Sequence, residues 1–163
     1  MKKSSLIFIQ IIILTSLAFP SNILSGNTVS DELAWVTKKY FNKGDYSGCI
    51  EEVKKILKQT SEISEEQTIS GHSLIASCYL KLKNYKKGRA ILTKLIDKYP
   101  DASKDLKGLW AYQLAFIEDA QNNERSALKK FEKFINNYPN NKYVLNALAK
   151  MRLIEYNDGV NEA

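Results

Sequence analysis

Two Tyr-Pro pairs, Tyr99-Pro100 and Tyr138-Pro139, lie 39 residues apart, and the chain compared with itself at that offset matches at many further positions. Gly44-Asp45-Tyr46 falls on Lys83-Asn84-Tyr85 and then on Asn122-Asn123-Glu124. Cys49 meets Gly88 and Ala127, Val53 meets Leu92 and Phe131, Ile56 meets Leu95 and Phe134, and Leu57 meets Ile96 and Ile135. Ser61, Pro100 and Pro139 share the last slot, and beyond it Leu106 meets Leu145. A period of this length constrains the fold strongly, because each repeat must be one supersecondary unit that buries its apolar face against its neighbours.

The slots have mechanical reasons. Asp45, Asn84 and Asn123 are good N-cap residues, each preceding a run whose apolar positions recur at three and four residues, so each opens the second helix of a unit. Cys49, Gly88 and Ala127 are small, as required where two helices of a hairpin approach closely. Val53, Ile56 and Leu57 and their equivalents form an apolar stripe on that helix. Pro100 and Pro139 stop it, since proline lacks the amide hydrogen a continuing helix uses, and Asp101 or Ser103 is placed to cap the helix that follows. Ser64-Glu65-Glu66-Gln67 reads as a capping box opening another unit. Seven helices are expected, over about 31–43, 46–60, 65–82, 85–99, 103–121, 124–138 and 142–157. No segment alternates with period two over a useful length, so no sheet is expected. A generic bundle of similar-length helices is the alternative, but it gives no reason for cap, small residue and stop to recur at one offset.

These residues resemble tetratricopeptide repeats. The family's unit runs apolar, apolar, small, large aromatic, then Gly-Asp-Tyr, small, apolar and Pro. Unit one shows Leu33, Val36, Thr37, Tyr40, Gly44-Asp45-Tyr46, Cys49, Val53 and Ile56; unit two shows Ile75, Ala76, Tyr79, Asn84-Tyr85, Gly88, Leu92, Leu95 and Pro100; unit three shows Leu114, Ala115, Ala127, Phe131, Phe134 and Pro139. Ser61 stands where the family has Pro, and Glu118 and Glu124 stand where it has aromatics. The lengthened unit with its Tyr-Pro ending looks like the bacterial envelope subset, such as outer-membrane assembly lipoproteins and Tol-Pal-associated periplasmic proteins. The resemblance implies an all-α, right-handed solenoid of three helix-turn-helix units (about 31–61, 65–100 and 103–139) plus a C-terminal capping helix, 142–157, with 158–163 a disordered tail. First helices would line a concave face and second helices the convex side.

Ahead of this domain, Met1-Lys2-Lys3 is followed by a 14-residue apolar run from Leu6 to Phe19 that Pro20 interrupts. That is short for a bilayer span and fits the core of a secretory signal, residues 1–26, with 27–30 a short linker. An uncleaved membrane anchor is the competing reading. No Cys stands near the boundary, which argues against a lipid-anchored form. Removal of residues 1–26 lowers the formal charge from +6 to +4 over 137 residues. An exported, mildly basic chain with no arginine-rich or aromatic-interleaved motif is not expected to bind nucleic acid. A periplasmic or extracellular location follows.

No HExxH, Cys-x-x-Cys, GxSxG or phosphate-cradling loop is present, so no enzyme activity, metal or cofactor is expected. The single His, His72, sits at a helical slot shared with Leu33 and Ala111 and reads as a packed imidazole. Cys49 and Cys78 could be bridged outside the cytoplasm only with alpha carbons within about 7 Å; the small slot of Cys49 favours a packed thiol. Lys83, Lys87, Lys94 and Lys98 fall along one side of a second helix, a convex basic patch that is either a solvated face or a dock for an acidic partner or anionic envelope surface. The slots at which the resembled family presents concave side chains carry Lys38, Phe41 and Asn42 in unit one, Ser73, Ser77 and Lys81 in unit two, and Leu109, Tyr112, Phe116 and Asp119 in unit three. Leu109, Tyr112 and Phe116 form one apolar stripe that either packs on the neighbouring unit or receives an apolar peptide or helix. The function expected is an exported adaptor binding a polypeptide of the bacterial envelope. A glycan-binding or glycan-processing accessory of the cell wall and a self-associating structural solenoid are the alternatives.

Overall fold

The computed structural model describes residues 28–59 and 63–161. They form α1 (Val29–Lys39), a short 3-10 turn (Phe41–Lys43), α2 (Tyr46–Gln59), α3 (Glu65–Lys81), α4 (Tyr85–Lys98), α5 (Lys104–Ala120), α6 (Glu124–Asn137) and α7 (Val144–Asn161), with no strand among them. Each helix packs on the next, and α1 touches α3 as α3 touches α5. The chain is thus an all-α solenoid in which hairpins α1–α2, α3–α4 and α5–α6 stack and α7 closes the row. The expected signal segment, residues 1–26, lies outside the described residues. Thr28 already caps α1, so the first helix starts inside the expected linker. The expected tail is instead helical to Asn161, because adding a residue to a formed helix costs far less than nucleating one.

The helix starts follow local chemistry. Thr28 with Asp31, and Ser64 with Gln67, make reciprocal capping boxes. The Gly48 N–H donates to Asp45 Oδ1 at 2.9 Å, the Lys87 N–H to Asn84 Oδ1 at 3.2 Å, and the Leu106 N–H to Ser103 Oγ at 3.3 Å. Ser103, not Asp101, therefore caps α5. Asn123 occupies the N-cap position of α6 but makes no side-chain cap bond; its amide donates to Glu118 instead, at 3.2 Å.

Between the helices of each hairpin the chain passes once through left-handed backbone, at Gly44 (φ 83), Lys83 (φ 57) and Asn122 (φ 58). These are one slot of the 39-residue period. Glycine takes this conformation freely, whereas a lysine there costs about 1–2 kcal/mol.

The small slot lies where the hairpins close. Cys49 and Ala127 are fully buried, and a Cβ on Gly88 would run into Leu80 Cδ1. Three apolar clusters follow along the row. Val36, Cys49, Val53 and Cys78 join α1, α2 and α3. Ala76, Leu92, Leu95, Trp110 and Ile117 join α3, α4 and α5. Ala115, Ala127, Phe131, Phe134, Ala147 and Ile154 join α5, α6 and α7. Every cluster draws on two successive hairpins or on a hairpin and α7, so no unit completes its core alone.

Glu118 supplies a polar joint between units two and three. Its side chain is 8% exposed, and Oε1 accepts from Arg89 Nη1 of α4 at 2.7 Å and from Lys130 of α6. Arg89 also donates to Gln121, at 2.9 Å. The hydrogen bond from Arg89, above all, holds the Glu118 carboxyl down at a pKa of about 2 against burial, with Lys130 adding to the effect. An aromatic side chain stands at this slot in the earlier units, Tyr40 and Tyr79; here a buried carboxylate with two cations takes its place.

Candidate functional site

The inner helices α3 and α5 form the walls of a cleft of about 370 Å³. Ser77, Leu80 and Lys81 enter it from α3, Leu109, Tyr112, Gln113 and Phe116 from α5, Phe41 from the turn after α1, and Tyr143 and Asn146 from the α6–α7 junction. Every repeat and α7 thus contributes. Lys81 is the one charged side chain among these lining residues.

The walls are anchored from behind. Leu109 and Phe116 pack against the second core cluster, and Tyr112 against the third. The Tyr112 ring stacks on Tyr143 at 4.8 Å with planes 11° apart, and meets Phe131 and Phe134 at 5.9 and 5.7 Å. Burial, chiefly, pushes the Tyr112 phenol above its ordinary pKa, so it stays a neutral hydroxyl at physiological pH. Each side chain of the stripe Leu109–Tyr112–Phe116 therefore packs on a core cluster and also lines the cleft.

A chain of hydrogen bonds runs under the floor. The Trp110 indole N–H donates to Ser73 Oγ at 2.9 Å, the Ser77 hydroxyl to the Ser73 carbonyl at 3.0 Å, and Gln113 Nε2 to Ser77 Oγ at 2.8 Å. Gln113 is 7% exposed, and its Oε1 has no partner.

The expected concave residues divide accordingly. Phe41, Ser77, Lys81, Leu109, Tyr112 and Phe116 line the cleft together. Ser73 is buried beneath it as the acceptor for Trp110. Asp119 is held by Lys150 of α7 at 2.7 Å, and the Lys150 ammonium also lies 5.7 Å from the Phe116 ring centre. Lys38 and Asn42 are exposed and are not part of the lining. The residues that sequence reasoning missed are Leu80, Gln113, Tyr143 and Asn146. Leu80 carried a signal, standing 39 residues from both Phe41 and Asp119.

A second concavity of about 480 Å³ shares Tyr112 and Asn146 and continues over Leu145, Ala149, Lys150 and Leu153 of α7. α7 buries Ala147 and Ile154 but leaves Leu145 77%, Leu148 44%, Leu153 54% and Tyr156 69% exposed. A terminal helix is expected to turn a polar face outward; this one turns an apolar face.

Lys87, Lys94 and Lys98 of α4 are exposed, and so is Lys83, which stands in the left-handed turn before α4 and not along the helix as expected. The Lys87 ammonium lies 5.4 Å from the Tyr79 ring centre and that of Lys98 5.1 Å from Tyr99. Their neighbour Arg89 turns to Glu118 instead. His72 is half-buried, with Nδ1 2.8 Å from the Thr68 carbonyl. Among the described residues no group of three or more His, Cys, Asp or Glu side chains is arranged to hold a metal ion.

A family model described as YfiO, outer membrane lipoprotein, matches residues 31–158, from the first turn of α1 to the last turns of α7. The chain belongs to the YfiO family. No individual curated protein matches it. The YfiO match takes in all three hairpins, the cleft and the Glu118 joint, and a tetratricopeptide-like envelope family is what the repeat slots resemble. Cys49 and Cys78, the two cysteines, are both free and fully buried. No helix among the described residues is long and apolar enough to cross a membrane.

Proposed function

We propose that this YfiO-family protein is an exported, non-enzymatic adaptor that binds a polypeptide segment of the bacterial cell envelope in the concave cleft. The observation that carries the reading is the lining itself: apolar and aromatic side chains from every repeat converge on one cleft, each fixed from behind by a core cluster. Such a surface is preorganised, so little side-chain ordering entropy is lost on the adaptor's side when a segment docks. Recognition is then set by the shape of the aromatic walls and by a few polar groups at floor and rim. The outward apolar face of α7 favours a second reading, self-association through that end.

Site-directed photo-crosslinking separates these. A crosslinker replacing Lys81 at the cleft rim, with one replacing Lys94 on the convex side as control, is exposed to envelope extract. Protein adducts at position 81 and none at 94 are expected. Enrichment of wall polymer without a protein adduct refutes the adaptor, and adducts of the chain with itself support self-association in its place.

A further inference from the structure

Gln113 is a polar side chain in a place where polarity has a cost. It is 7% exposed. Its amide N–H is used, on Ser77 Oγ at 2.8 Å, and Ser77 in turn spends its own hydrogen on the Ser73 carbonyl. That direction of donation leaves Oε1 as the free end of the chain, an acceptor without a donor. Buried acceptors are nearly always paired, and one left unpaired holds unused hydrogen-bonding capacity. The residue lines the cleft beside Leu80, Leu109, Tyr112 and Phe116 with Oε1 itself covered, so a molecule that parts these side chains as it enters the cleft reaches the acceptor with the missing donor.

We propose that Gln113 Oε1 is the recognition acceptor of the cleft, taking a backbone N–H from an extended apolar polypeptide segment while one side chain of that segment enters between Leu109, Tyr112 and Phe116. The inference rests on the reading of the cleft as a polypeptide site and adds the chemistry of selection. An apolar side chain satisfies the walls, and the donor nearest to such a side chain is the amide of its own backbone, which every residue except proline carries. In an extended chain amides on one side recur every second residue, so one amide can meet Gln113 while its neighbours face elsewhere. The cleft therefore excludes proline at one position of its ligand and tolerates it at others.

The test uses the mature chain and N-acetylated, C-amidated heptapeptides with a central Leu, Phe or Tyr. Each binder is remade as a series in which one backbone N–H at a time becomes an ester oxygen, and as a proline scan. In the wild type a single ester position weakens binding by about five- to thirtyfold, and proline at that position abolishes it. In Gln113→Leu, and in Gln113→Met as a second variant of similar volume, amide and ester forms bind alike. Because the ester effect is a ratio within each variant, a general weakening cancels, and the wild-type scan stands even where a variant fails to fold. Binding with no ester-sensitive position, or sensitivity that persists in both variants, overturns the role of Gln113 and leaves the cleft as a peptide site. Absence of binding by every peptide overturns the reading of the cleft itself.

Discussion

Replacing Glu118 by Gln removes the charge of the joint between units two and three while keeping its shape. The native carboxylate is held at a pKa of about 2 against an ordinary 4.5. At about 1.4 kcal/mol per tenfold change in proton affinity, this corresponds to about 3 kcal/mol. Glu118 is 8% exposed but Arg89 and Lys130 are 36% and 38% exposed, so solvent screening brings the expected loss to about 2 kcal/mol. Because the folded carboxylate binds its proton more weakly than the unfolded one, the contribution is complete above pH 4.5 and disappears as pH falls toward 2. Urea unfolding of the wild type and Glu118→Gln, followed by circular dichroism from pH 7 down to pH 2.5, measures it. The variant should be less stable by about 2 kcal/mol at pH 7, with the gap closing below pH 4.5. A gap under about 0.5 kcal/mol at pH 7, the size of an ordinary surface substitution, or one that survives acidification unchanged, refutes the electrostatic account.

The left-handed slot makes a second prediction: Lys83→Gly should raise the unfolding free energy by about 0.5–1 kcal/mol, the relief of φ strain exceeding glycine's entropy cost, whereas Gly44→Ala should lower it by a similar amount. For the cysteines, burial above all raises the thiol of Cys49 and that of Cys78 over their ordinary pKa. Alkylation at pH 8 without reductant should therefore be negligible in the native protein and should count two thiols after denaturation; a count of zero would show a bridge.

What was legible in the sequence was whatever the backbone demands locally. Caps at Asp45 and Asn84, the small residues at 49, 88 and 127, and the stops after Tyr99 and Tyr138 each answer a requirement of a few neighbouring residues, and a period repeats them. Glu118 was visible as an interruption of an aromatic slot, but its reason lies in Arg89, 29 residues away, and Lys130, 12 away. The cleft was readable in part for the same reason. Phe41, Ser77 and Phe116 sit on slots, whereas Gln113 shares its slot with Trp35 and Leu74, so its role depends on Ser77, a neighbour only after folding. Tyr143 reaches Tyr112 through the turn before α7, where the period has already slipped. Asn42 falls outside the cleft because the 3-10 turn carries only Phe41 into it, while Lys38, on the slot that puts Ser77 and Phe116 in the lining, is exposed instead.

The hydrogen-bond chain under the cleft gives the molecule an optical readout of its own. Trp110 is fully buried, and its indole N–H reaches Ser73, one step from Ser77 and two from Gln113. The other tryptophan, Trp35, is half-exposed on α1, beside Lys39 and Tyr40. With Trp35 replaced by Phe, a single tryptophan remains for selective excitation, wired to the floor of the site but out of reach of anything that occupies it. Its emission would report how the floor relaxes when the cleft fills, with no label attached.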